Sequence, residues 1–175
     1  MRIERVIEEN VRCDMTVDYY VPVTVEFPGN EDRYGMTELL YYRYLGKDSS
    51  FIEIAVNSKT MKITRAVIVS INGDVERLGH DFSWQQSPGV FVGNPEISLE
   101  SFSDSDTFTE TKEKEMKFKY FGRKLLVLLG GTVHEKVVMG SLSLLLDERK
   151  EVNGFLFEGF SENEWEVLKE SCQIT

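Results

Sequence analysis

FIEIAVNSKTMKITRAVIVSI, residues 51–71, holds two apolar runs on either side of a short polar stretch. In the first, Ile52, Ile54 and Val56 alternate with Phe51, Glu53 and Ala55. The second, Ile63 to Ile71, is dense in β-branched side chains: Ile63, Thr64, Val67, Ile68, Val69 and Ile71. Branched side chains fit a pleated, half-buried surface better than a helix. Asn57, Ser58, Lys59 and Thr60 supply turn residues between the arms. The stretch predicts a β-hairpin near the centre of a sheet.

Upstream, Tyr34–Leu45 fits two patterns. Thr37 can cap a helix through Glu38 to Tyr42, and the same residues read as a strand buried on both faces. Tyr41, Tyr42 and Tyr44 favour the strand. With the turn from Gly46 to Ser50, it would make a three-strand meander. Further upstream, Val17, Tyr19, Val21, Val23, Val25 and Phe27 occupy every odd position, which predicts one long strand over Val17–Phe27. Pro22 cannot donate to a ladder, so that strand is expected at an edge or bulged. Pro28, Gly29 and Asn30 end it. Residues 1–12 fit a short helix and a first strand equally well.

Downstream, residues 72–124 are weakly patterned. His80 to Asn94 reads as a long loop with a short strand at Val90–Val92, and Ile97–Phe102 as another short strand. Lys117–Leu129 contains a strand, with Leu125–Leu129 as a continuous apolar core piece. Gly130-Gly131 turns the chain into Lys136–Met139 and Leu142–Leu146. Arg149-Lys150 forms a hairpin tip, and Phe155–Phe157 returns. Ser161 and Glu164 form a capping-box pair ahead of a helix whose apolar face is Trp165, Leu168 and Cys172. Glu162, Glu166 and Glu170 would face outward. The predicted fold class is α+β, mainly β: an antiparallel sheet, sandwich-like or barrel-like, with a short C-terminal helix, in a single domain over residues 1–175.

Composition narrows the function. Hydrophobic residues make up 41% of the chain, enough for a packed core. No apolar run approaches the roughly 18 residues of a membrane span. The N-terminal MRIERVIEENVR mixes acids with bases and has no apolar core, so the expected location is the cytoplasm and Cys13 and Cys172 are expected as reduced thiols. Thirty acids against twenty bases give a net charge of −10. Phosphate backbones repel such a surface, and Arg149-Lys150 is a pair rather than a patch, which argues against nucleic acid as a partner. The charge favours a basic protein partner.

No catalytic motif stands out. His80 beside Asp81 and His134 beside Glu135 resemble base–orienter pairs, but neighbours on a strand point to opposite faces. Neither histidine has metal-ligand spacing, so no metal or cofactor is expected. Gly130-Gly131-Thr132 lacks the phosphate-loop pattern, and Asp104-Ser105-Asp106 lacks the downstream ligands of a calcium loop. Trp84, next to Phe82 in a polar loop, is either a core plug or an interface anchor. The expected partner-binding set is Phe82, Trp84, Asp104, Asp106 and Glu110.

Leu39 to Gly46, LLYYRYLG, followed by Phe51 to Thr60, FIEIAVNSKT, resembles small bacterial immunity proteins of polymorphic toxin systems. That resemblance implies a cytosolic inhibitor that binds a toxin, and it carries no site residues. The leading expectation is therefore a non-enzymatic binding protein for a basic partner such as a toxin. A hydrolase with a scattered site at His80, Asp81 and His134 is the second. A small-ligand module lined by Tyr and Phe is the third.

Overall fold

The computed structural model describes residues 1–31, 37–79, 88–102 and 108–174. In chain order the first strands are β1 (Ile3–Ile7), β2 (Asp14–Thr16), β3 (Val23–Glu26), β4 (Leu39–Gly46), β5 (Phe51–Asn57), β6 (Ile63–Ser70) and β7 (Val75–Arg77). Then follow β8 (Gly89–Val92), β9 (Asn94–Ile97), β10 (Thr109–Lys114), β11 (Lys117–Phe121) and β12 (Lys124–Leu128). The chain ends with β13 (Glu135–Met139), β14 (Leu142–Leu146), β15 (Val152–Phe157) and the helix α1 (Glu162–Ser171).

The hairpin read from residues 51–71 is β5 and β6, in the middle of a six-stranded sheet ordered β10-β4-β5-β6-β3-β2. Asn57 makes its turn: the side-chain Oδ1 accepts from the backbone N–H of Lys59 at 2.9 Å and of Thr60 at 3.1 Å. β4 is a strand, as its tyrosines favour, and pairs antiparallel with β5 to complete the meander. Leu40, Tyr42 and Tyr44 on β4 and Ile52, Ile54 and Val56 on β5 are all buried, one face of the pleat.

The seven-stranded sheet is ordered β7-β11-β12-β15-β14-β13-β8. Its inward residues include Leu125, Val127, Leu144 and Phe155, and they share one apolar core with the six-stranded sheet. Tyr44 meets Phe155 edge-to-face across the layers, ring centroids 5.6 Å apart. On the outer face Phe121, Leu126, Leu145 and Leu156 form a second, smaller cluster. The central strands are thus buried on both sides, and β14, LSLLL, has no exposed position.

Three readings of the sequence are corrected. Val17–Phe27 is not one strand: β2 and β3 pair antiparallel, Thr16 opposite Thr24, and the chain reverses between them. Lys117–Leu129, expected to contain a strand, holds two, β11 and β12, joined through Gly122 at φ +55, a conformation that favours glycine. The connection after Leu129 is not a hairpin, because β15 lies between β12 and β14, and β13 sits beyond β14. The order β12-β15-β14-β13 is a Greek key. Ile97–Phe102 also departs from expectation, since β9 ends at Ile97 and a 3₁₀ turn covers Leu99–Ser101.

At one end a two-stranded ribbon, β1 and β9, spans the layers. β8 runs into β9 through Gly93, where an added Cβ would strike the Ile7 carbonyl. The backbone of Ile97 donates to Met61 at 2.8 Å, which fastens β9 to the start of β6. Inside this corner Asn30 and Asn94 exchange side-chain amide bonds of 3.0 and 2.5 Å. Asn30 also donates to the Ile63 carbonyl at 2.7 Å.

The C-terminal helix forms as its cap predicts. Ser161 N–H donates to Glu164 Oε2 at 2.8 Å, and Glu164 N–H donates back to Ser161 Oγ at 3.3 Å. Trp165, Leu168 and Cys172 are buried, while Glu162, Glu166 and Glu170 are exposed. Trp165 packs between Tyr120 of β11 and Phe160, with ring centroids 5.9 and 5.6 Å away. No described helix is long and apolar enough to cross a membrane.

Candidate functional site

Of the residues singled out from sequence, Phe82, Trp84, Asp104 and Asp106 lie outside the described residues, as do His80 and Asp81. Glu110 is described: it sits on β10 at 8% exposure, with its carboxylate 2.5 Å from Lys112 Nζ. Beside it, burial and the nearby charges of Glu110 and Glu151 push the Tyr42 hydroxyl up to about 12. Glu110 is therefore a buried strand residue paired with a half-exposed lysine at the β10–β4 edge.

Side chains suited to catalysis are not gathered together among the described residues. His134 is exposed, with Nε2 3.3 Å from Thr132 Oγ1. Cys13 and Cys172 are free thiols. Burial pushes the Cys172 thiol up, away from a reactive thiolate. No described group of three His, Cys, Asp or Glu residues could hold a metal ion. The interior tyrosine and phenylalanine rings pack on one another, as Tyr42 does on Tyr44 at 5.1 Å and on Phe102 at 5.9 Å.

What the described surface does present is two runs of three consecutive exposed apolar residues, Tyr19-Tyr20-Val21 and Val90-Phe91-Val92. Scattered exposed apolar side chains are ordinary, whereas contiguous ones mark interaction surfaces. The first run forms the tip between β2 and β3. Tyr20 is 84% exposed and Tyr19 55%. The backbone N–H of Tyr20 donates to Asp18 Oδ1 at 2.8 Å, which shapes the turn. The two rings meet edge-on, centroids 5.4 Å apart at 83°. Such a pair offers apolar area with few rotors to freeze and hydroxyls that can still bond.

Asp18 is exposed in the turn itself, while exposed Asp14 and Glu26 face each other at the hairpin's foot, near Arg12 and with Arg65 of β6 opposite Glu26. β2 is the last strand of its sheet among the described residues, so no described strand flanks the tip on that side. Sequence reading missed it because Tyr19 and Val21 continue the odd-position series of a buried strand face. Asp18 two residues before Tyr20, with Pro22 two after, was the turn signal inside that series.

The second run is β8 at the far edge of the seven-stranded sheet. It pairs in parallel with β13, Val90 opposite Lys136 and Phe91 opposite Val137. A recess of about 240 Å³ beside it is lined by Ile3, Val6, Phe91 and Leu146, with Arg5, Lys150, Glu8 and Glu135 around them.

No protein-family model matches the chain, and comparison with curated proteins finds no match.

Proposed function

We propose that this is a non-enzymatic binding protein whose β2–β3 tip engages a basic protein. The carrying observation is the Tyr19–Tyr20 pair, held exposed at a sheet edge with Asp18 in its turn, on a hairpin that also carries exposed Asp14 and Glu26 at its foot. Tyr is enriched at the energetic centres of interfaces. The surrounding acids supply complementarity to a cationic surface, and the net charge of −10 extends that attraction beyond contact distance. The finer reading is an immunity-type inhibitor in the cytoplasm with a toxin as its partner. Its support is the resemblance carried by residues 39–46 and 51–60.

The test begins with affinity capture of the partner by the full chain, followed by association kinetics. Tyr19→Ala/Tyr20→Ala should weaken binding at least about tenfold, the loss of roughly 1.4 kcal/mol or more expected of an anchor pair. Both side chains are exposed, so the variant should keep the wild-type melting temperature. Raising salt from 0.1 to 1 M shortens the Debye length from roughly 10 to 3 Å and should slow association. An acidic partner, an on-rate indifferent to salt, or full affinity in the double variant would each overturn the reading.

A further inference from the structure

We infer that two copies of this chain pair through β8 to make one continuous sheet. The argument begins with where the backbone of β8 points. Gly89 N–H donates to the His134 carbonyl at 2.9 Å, and Gly93 N–H to the Val138 carbonyl at 3.1 Å. Bonds from a parallel strand to one neighbour use alternate residues, so Gly89, Phe91 and Gly93 face β13. The N–H and C=O groups of Val90 and Val92 therefore point away from it. β8 is the last strand in its sheet among the described residues.

Edge strands are normally blunted by charge, by an inward lysine or by a proline within them. This one is not. Pro88 to Pro95, PGVFVGNP, carries no charged residue, and both prolines lie outside β8. Val90, Phe91 and Val92 are 62%, 41% and 57% exposed. Apolar side chains thus stand on both faces of a strand whose outward backbone groups have no strand partner among the described residues.

The occupant follows from symmetry and charge. A two-fold axis through Phe91 sets Val90 opposite Val92 of the second copy, and Val92 opposite its Val90. Those are the residues whose polar groups point outward, so each opposed pair exchanges both its N–H and C=O bonds. The two Phe91 residues then meet as a close non-hydrogen-bonded pair. Opposed residues share a face, so valine meets valine on the outer face and the two phenylalanines meet on the recess side. The strand is complementary to itself, as an isologous interface requires. A basic partner would find no acidic bias here, because Arg5 and Lys150 balance Glu8 and Glu135 around the recess. Like-charged copies carrying −10 each are also best joined where the surface is uncharged. The Tyr19–Tyr20 tip belongs to the other sheet, so this pairing is independent of the partner reading.

Sedimentation equilibrium of the full chain over micromolar to millimolar concentration tests the inference. The mass should climb from 20.2 kDa toward twice that value. Val92→Pro removes an outward N–H without touching a bond to β13, and should weaken self-association at least about tenfold through the two bonds lost per dimer. Val90→Lys places a charge against the second copy and should do the same. Phe91→Cys should give a disulfide-linked dimer on mild oxidation that Phe91→Ser does not. A wild-type mass fixed at the monomer value, or a dimer undiminished in folded Val90→Lys, would overturn the pairing even if Val92→Pro failed to fold.

Discussion

Tyr42 and Tyr44 enter the core from the same face of β4, and burial is the main cause that pushes both hydroxyls above the ordinary phenol value. Their neutral form is the one the fold holds. A folded-state value above the unfolded one means that stability is fully present below about pH 10 and is lost as pH rises through the folded value. For Tyr42 that window runs from about 10 to about 12. Phenolate absorbance should therefore show a late component from Tyr42 and Tyr44, with circular dichroism collapsing alongside it. A chain that stays folded while its absorbance shows no late component would refute this. Tyr44 adds a second expectation. Its hydroxyl has no hydrogen-bond partner among the described residues. Tyr44→Phe removes a buried polar group that otherwise costs about 1–3 kcal/mol, so the variant should melt at or above the wild-type temperature. Asn94→Ala should do the opposite. It leaves Asn30 without its amide partner in a buried corner, and denaturant titration should show a loss of about 1–3 kcal/mol.

At the level of the element, α1 offers a comparison of two contributions. Trp165→Ala deletes a ring packed on Tyr120 and Phe160, a loss of about 3–5 kcal/mol. Ser161→Ala removes only the cap, about 1 kcal/mol. Thermal melts that place the two variants in the reverse order would show that the helix does not depend on docking. This helix was legible in the sequence because its signals are local: a cap, and an apolar face at positions three and seven apart. The β5–β6 hairpin was legible for the same reason. The β2–β3 tip was not, since Tyr19 and Val21 kept the period-two series going through the turn and masked the turn signal of Asp18 and Pro22. The β11–β12 turn at Gly122 was not picked out either, because it lies between aromatic and charged residues that suit a strand. As for the candidate site, the sequence pointed to Glu110, which is buried beside Lys112. It gave no sign that Tyr19 and Tyr20 stand in solvent, because exposure depends on which strands lie next to one another.

The whole molecule is organised by partners far apart in sequence. Ile3 pairs with Ile97, Tyr41 with Thr109 and Phe118 with Val75. Sheet order depends on such pairings, which is why the position of β13 beyond β14 could not be read from an apolar run and a Gly-Gly turn. The same feature predicts slow folding. Topologies dominated by non-local strand pairs fold on the order of milliseconds to seconds, and a chain of this length commonly passes through intermediates. Stopped-flow refolding complete within microseconds would contradict this.

Chain order also sets the sequence in which the layers become available during synthesis. The β2–β6 part of the six-stranded sheet is complete once Ser70 has left the ribosome. Its cover is not, for β12 gains its neighbour β15 only when Phe157 emerges. At about 5–20 residues per second that interval lasts roughly 4–17 s. Throughout it Tyr42, Tyr44, Ile52 and Ile54 form an apolar face whose opposite layer is incomplete. A nascent chain arrested near residue 100 should therefore be held by a ribosome-associated chaperone, and one arrested well past residue 175 of a C-terminal extension should be released.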